Sequence, residues 1–181
     1  MGYEKRTKNT YCRVIIYCLN LHLHTYQCEL LPWSPGGGGL THLGNIPVFI
    51  AAILFGKKTG AVVGGVGMAL FDLFSPYAMW TPFTFVINLL MGFVIGLIIE
   101  NRSKIKWYLT ATGAAILIKV LGYYIAELII IQMTSSAATQ GLWLIPIASI
   151  PANVLQVVVA AIIVLPIIGR LRVVAARFQE R

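Results

Sequence analysis

Long apolar runs separated by short polar connections set the pattern of this chain, at residues 11–31, 43–56, 59–76, 82–100, 107–131 and 143–169. A hydrocarbon core about 30 Å thick takes roughly 20 apolar residues of helix. The last four runs meet that length. The second, "LGNIPVFIAAILFG", is short and holds Pro47. The first, "YCRVIIYCLNLHLHTYQCELL", is diluted by Arg13, Glu29, His22 and His24. The pattern predicts an all-α polytopic membrane protein, a bundle of six transmembrane helices forming a single domain over residues 1–181. An even number of crossings places both termini on one side.

The charges test that topology. With the N-terminus in the cytoplasm, the inner segments hold Lys5, Arg6, Lys8 and Arg13, then Lys57 and Lys58, then Arg102, Lys104 and Lys106, then Arg170, Arg172, Arg177 and Arg181. That is thirteen of the fourteen Lys and Arg residues, and the outer loops hold none. Basic short loops stay cytoplasmic, so N- and C-termini are both expected inside. If the first run did not cross, four basic residues would move to the outer face.

Composition sharpens the class. Hydrophobic residues make up 58% and charged residues 11%, against about 25% charged in a soluble domain. The net charge of +8 raises nucleic acid as a partner, but the cations sit in clusters between apolar runs, so no nucleic acid is expected. Cys12, Cys18 and Cys28 have no framework spacing for disulfides, and His22, His24 and Cys28 fall short of a four-ligand metal set. Neither a metal nor a cofactor is expected. The basic start and interrupted apolar run lack a small-residue cleavage pattern, so the segment reads as retained.

The fourteenth cation, Lys119, lies inside the fifth run. A charge at the bilayer centre costs about 2.5–3.5 kcal/mol on insertion scales and normally faces a bundle interior or a wet cavity. Helical geometry puts Thr112, Lys119, Tyr123 and Glu127 on one face. The spacing from Lys119 to Glu127 corresponds to about 12 Å of helix rise, so each group needs another partner: a ligand, water, or a residue such as Asp72. Two further helices carry polar stripes, Thr81, Thr84 and Asn88 in one and Ser149, Asn153 and Gln156 in the other. Interhelical hydrogen bonding, worth roughly 1 kcal/mol each, accounts for any single stripe. Three stripes at one depth favour a pocket open to the outside. Gly36, Gly37, Gly38 and Gly39 lie in the first outer loop and read as a mobile lid, or as a plain flexible linker. Tyr77 and Trp80 in the second outer loop fit interfacial anchoring and stacking on an aromatic ligand equally well. Gly60, Gly64 and Gly67 share one helix face, and Gly92 and Gly96 form a G-x-x-x-G, which lets helix backbones approach closely.

Several chemistries find no support. The chain has no G-x-x-x-x-G-K-[ST], H-E-x-x-H, G-x-S-x-G or C-x-x-C, and no long inverted repeat of the secondary-transporter kind. A membrane enzyme using Asp72, Lys119 and Glu127 lacks a nucleophile or metal set, so no enzyme is expected.

The stretches "GGGLTHLGNIPVFIAAILFGKKTGAVVGGVGMALFDLF" and "PFTFVINLLMGFVIGLI" resemble the substrate-binding S component of energy-coupling factor (ECF) vitamin transporters. The nearest branch includes riboflavin, hydroxymethylpyrimidine and pyridoxine binders. The likeness covers residues 36–170. It rests on the short Pro-containing helix, the turn after it, the "DL" closing the third run and the "FTFVIN" of the fourth. The resemblance implies a six-helix bundle that captures one water-soluble vitamin in an outward pocket under a first-loop lid. It also implies a transmembrane coupling protein and two ABC ATPase subunits as partners, in a prokaryotic plasma membrane. Implied substrate-binding residues are Thr41, His42, Trp80, Thr84, Asn88, Lys119, Tyr123, Asn153 and Gln156; the polar stripe adds Glu127. Residues 1–35 depart from the family, since residues 11–31 hold no alanine where its first helix carries an A-x-x-x-A pattern. A different docking mode or an aberrant segment, such as a shifted reading frame, would explain this, and the second is expected. The ligand expected is hydroxymethylpyrimidine or a vitamin B6 form, because the pocket groups are polar with few aromatics. Riboflavin, or a stand-alone channel or structural bundle, are the alternatives.

Overall fold

In the computed structural model, residues 27–29, 40–134 and 142–180 are described. Five helices follow one another among them: α1 (Asn45–Phe55), α2 (Lys57–Leu73), α3 (Thr81–Ile99), α4 (Ile105–Thr134) and α5 (Ile150–Glu180). A 3-10 turn, Ala78–Trp80, leads into α3, where Pro82 stands in the first turn and its missing N–H costs nothing. A longer 3-10 stretch, Leu142–Ser149, precedes α5 and contains Pro146. Together with Pro151 it delays the regular helix beyond the start expected at residue 143.

Among the described residues, three segments are long and apolar enough to cross a membrane: Ala78–Ile99, Ile105–Thr134 and Trp143–Val173. At 1.5 Å per residue α4 is about 45 Å long, more than a bilayer core requires. With 11 residues, α1 reaches only about 16 Å. Leu117, Leu121 and Ile125 form an exposed apolar stripe along α4, and Ile162 is exposed on α5. Such surface is costly in water and ordinary against lipid, and the chain is accordingly a membrane protein.

The fold is all-α as expected, and the one correction is local, to the helix expected over residues 11–31. Gln27–Glu29 (β1) pairs antiparallel with Leu40–His42 (β2), in the register Gln27↔His42, Cys28↔Thr41 and Glu29↔Leu40. The helix expected over residues 11–31 therefore does not extend through residues 27–29. Pro32 disfavours helical backbone at the residue before it, and strand pairing supplies the hydrogen bonds a helix would have made. Residues 11–26 lie outside the described residues, and with them the sixth helix of the count.

The helices pack most closely between α2 and α3. A Cβ on Gly60 would stand 2.7 Å from the Gly92 carbonyl oxygen and 2.8 Å from Ala52 Cα. One on Gly64 would collide with the Asn88 carbonyl, and one on Gly96 with the backbone of Lys57. The glycine spacing thus serves backbone contact between these two helices. Gly56 alone joins α1 to α2, with φ of 84°, a left-handed conformation that glycine adopts without strain. The main core lies beneath, where Val48, Phe49, Met91, Ile95, Ala111, Ala115, Val157 and Val164 from α1, α3, α4 and α5 are essentially inaccessible.

Candidate functional site

Lys119 stands at the middle of α4 and is 1% exposed. Its Nζ donates to Oδ1 of Asn45 at 3.1 Å and lies 5.5 Å from the Tyr123 ring centroid. Asn45 can reach it because α1 is short: its first turn begins inside the bundle rather than at the surface. The pairing offsets part of the cost of a buried ammonium, since a hydrogen bond to a charged group contributes about 1.5–3 kcal/mol. Asp72, buried near the end of α2, acts electrostatically on Lys119, and its carboxylate interacts with the Thr84 side chain.

Tyr123, one turn along α4, links this charged pair to α3. Its hydroxyl accepts from Asn88 Nδ2 at 3.2 Å and shares a hydrogen bond with Thr84 Oγ1 at 3.3 Å. Asn88 Nδ2 also donates to the Thr84 carbonyl at 2.9 Å. The Trp80 ring lies beside Tyr123, with centroids 6.1 Å apart and planes inclined by 37°. Trp80, Ile87, Ala126 and Ile130 close one side of the cluster with apolar surface. Gly122 makes room for this, because a Cβ there would meet Ile87 Cγ1 at 2.7 Å.

The cluster leaves polar capacity unused. Asn45 Nδ2, Thr81 Oγ1 and Asn88 Oδ1 are buried and have no hydrogen-bond partner among the described residues. Each such group costs about 1–3 kcal/mol when desolvated and unmatched. Glu127 adds two more unpartnered atoms, Oε1 and Oε2. The Ser149 side chain comes within interaction range of that carboxylate, without a hydrogen bond of good geometry to either oxygen.

The stripes read from the sequence are brought together unequally. Thr84, Asn88, Lys119 and Tyr123 meet directly, with Trp80 at their edge. Glu127 turns toward Ser149, next to α5. Asn153 and Gln156 are buried on α5, where Asn153 Nδ2 donates to the Ser149 carbonyl at 3.1 Å. Thr112 departs from the stripe: its hydroxyl bonds back to the Tyr108 carbonyl at 2.9 Å, and the residue lines an apolar groove nearer the start of α4. Thr41 and His42 lie on β2, which packs against α5. Gly36, Gly37, Gly38 and Gly39 lie outside the described residues. The sequence reading missed Asn45, whose place ahead of Pro47 marks it only as the opening of a helix.

A short helix opens inside the bundle, beside a buried lysine and a polar cluster with spare hydrogen-bonding groups. The family model for the ECF-type riboflavin transporter S component matches residues 30–173, and the chain belongs to that family. It is a family of transport subunits, not of enzymes. Over 132 residues the chain is 27% identical to the thiamine precursor transporter HmpT of Lactococcus lactis subsp. cremoris, covering 73% of this chain and 69% of that protein. Over 89 residues it is 34% identical to an uncharacterized protein of Pyrococcus woesei; there it covers 49% of this chain and spans 60% of the relative's length.

Proposed function

We propose that this chain is the substrate-capturing subunit of an ECF-type ABC transporter, taking up hydroxymethylpyrimidine or a vitamin B6-like ring. The observation that carries this reading is the buried cluster of Asn45, Asp72, Thr84, Asn88, Lys119 and Tyr123, in which one amide atom each of Asn45 and Asn88 is left unmatched beside a buried cation and its hydrogen-bonded neighbours. A heteroaromatic ring bearing hydroxyl and amino groups supplies both donors and acceptors for them. Trp80 and Tyr123 offer one aromatic edge, which suits a single ring better than the three fused rings of riboflavin. The relative HmpT, named as a thiamine precursor transporter, supports the same choice.

In this reading Glu127, Asn153 and Gln156 close the outer side of the pocket. Thr41 and His42 approach from β2, with Gly36 to Gly39 above as the lid. Both termini face the cytoplasm of a prokaryotic cell, and the chain crosses the plasma membrane six times. A transmembrane coupling protein and two ABC ATPase subunits drive uptake. The family match begins at residue 30, so residues 1–29 lie outside it and residues 30–35 within it.

Isothermal titration of the purified protein with hydroxymethylpyrimidine, pyridoxine and riboflavin tests the proposal, with mass spectrometry of the ligand recovered afterwards. One of the single-ring compounds should bind at one site and return unchanged. Tightest binding of riboflavin overturns the choice of ligand. Binding of none, or chemical conversion of any, overturns the capture role.

A further inference from the structure

Away from the polar cluster, a groove of about 400 Å³ opens between α4 and α5, lined by Leu109, Thr112, Val158, Ala161, Ile162, Leu165 and Pro166. Its only side-chain hydroxyl, on Thr112, is already bonded to the Tyr108 carbonyl, so the groove presents apolar surface. It lies toward the end of the bundle that carries the basic residues. Leu109 is four residues beyond the start of α4, and Lys106 stands one turn before it. On α5, Leu165, Gly169 and Arg172 follow at helical spacing on one face. A Cβ at Gly169 would meet nothing within 4 Å, so the wall between Leu165 and Arg172 is low. The Arg172 guanidinium sits 5.5 Å from the centroid of the ring of Tyr108, the residue before Leu109 of the groove. Lys106 is exposed, with its ammonium 5.4 Å from the centroid of Trp107.

We infer that this groove is a binding site for an anionic phospholipid of the leaflet beside the basic loops. One acyl chain lies along Leu109, Ile162 and Leu165, and the phosphate sits between Arg172 and Lys106. The apolar floor excludes a free phosphate or a polar peptide. The two cations distinguish the occupant from a zwitterionic lipid, because each basic residue near an anionic headgroup contributes about fivefold in affinity. The inference rests on the chain's lying in a bilayer, but on neither the vitamin nor the sidedness proposed above, so either can fail without the other.

The test uses protein in nanodiscs containing phosphatidylcholine or phosphatidylglycerol with dibrominated acyl chains, and reads quenching of tryptophan fluorescence. A Trp107→Phe variant isolates the signal of the ring that Lys106 covers, beside Tyr108 and its Arg172 contact. Phosphatidylglycerol should quench Trp107 at several-fold lower mole fraction than phosphatidylcholine. The double variant Lys106→Gln, Arg172→Gln should remove that difference. Gly169→Leu, which enters open space on a helix, should weaken quenching by both lipids while leaving thermal unfolding unchanged. Equal quenching of the wild type by the two lipids overturns the inference, as does a difference that survives the double variant. A wild-type groove filled by a second copy of the chain would show as a dimer without lipid preference, and also overturns it.

Discussion

Replacing Lys119 by methionine separates a ligand-binding lysine from one that only holds helices together. The substitution keeps the length of the side chain and removes its charge. It deletes the 3.1 Å hydrogen bond to Asn45, a loss of about 1.5–3 kcal/mol. It also relieves the burial of an ammonium at mid-membrane, about 2.5–3.5 kcal/mol on insertion scales. The two terms nearly cancel, so the bundle should stay folded, with a stability change within about 2 kcal/mol. Ligand affinity has no such compensation. A charge-assisted contact of about 1.5–3 kcal/mol corresponds to a loss of roughly 10- to 150-fold. Titration calorimetry against hydroxymethylpyrimidine, with circular dichroism and thermal melting of the same preparation, reads both numbers. Wild-type affinity in the folded variant would refute the reasoning, as would a variant that unfolds while any folded fraction binds normally.

Two smaller changes probe the surroundings. Tyr123→Phe removes the hydroxyl joining Thr84 to Asn88, and should weaken ligand binding about fivefold, the equivalent of one ordinary hydrogen bond of about 1 kcal/mol, with the helical signal unchanged. Gly92→Leu drives a side chain into the Gly60 backbone, so the variant should melt at a clearly lower temperature in detergent, as overpacking of about 1–3 kcal/mol requires; an unchanged melting temperature would mean that α2 and α3 do not touch there.

Much of this arrangement was legible in the sequence because lipid makes polarity expensive. Lys119 stood out by its cost alone, and its neighbours Tyr123, Asn88 and Thr84 followed from helical spacing. Gly60, Gly64, Gly92 and Gly96 announced close helix packing in the same way, through the absence of side chains, while the pairing of α2 with α3 came from the structure. What stayed hidden depended on where helices begin. Asn45 reads as a helix opening, and only the short length of α1 brings it to the level of Lys119. The strand at Gln27–Glu29 lies at the end of an apolar run whose hydropathy does not distinguish extended from helical backbone. Ser149, which opens the third polar stripe, closes the 3-10 stretch Leu142–Ser149 and lies beside Glu127. Thr112 matched the periodicity yet spends its hydroxyl on its own helix, a local option open to any threonine.

The glycine seam between α2 and α3 limits how the molecule can change shape. Rotating α2 by one residue would bring Val63 to the position of Gly64 against the Asn88 carbonyl, and sliding it would set Ala61 against Gly92. Neither motion leaves room for the added carbons. Gly60 also meets Ala52 of α1 as closely as it meets Gly92, so these three helices pack as a plate without an internal gear. A rearrangement around Thr84 and Asn88 of α3 therefore carries α2 with it.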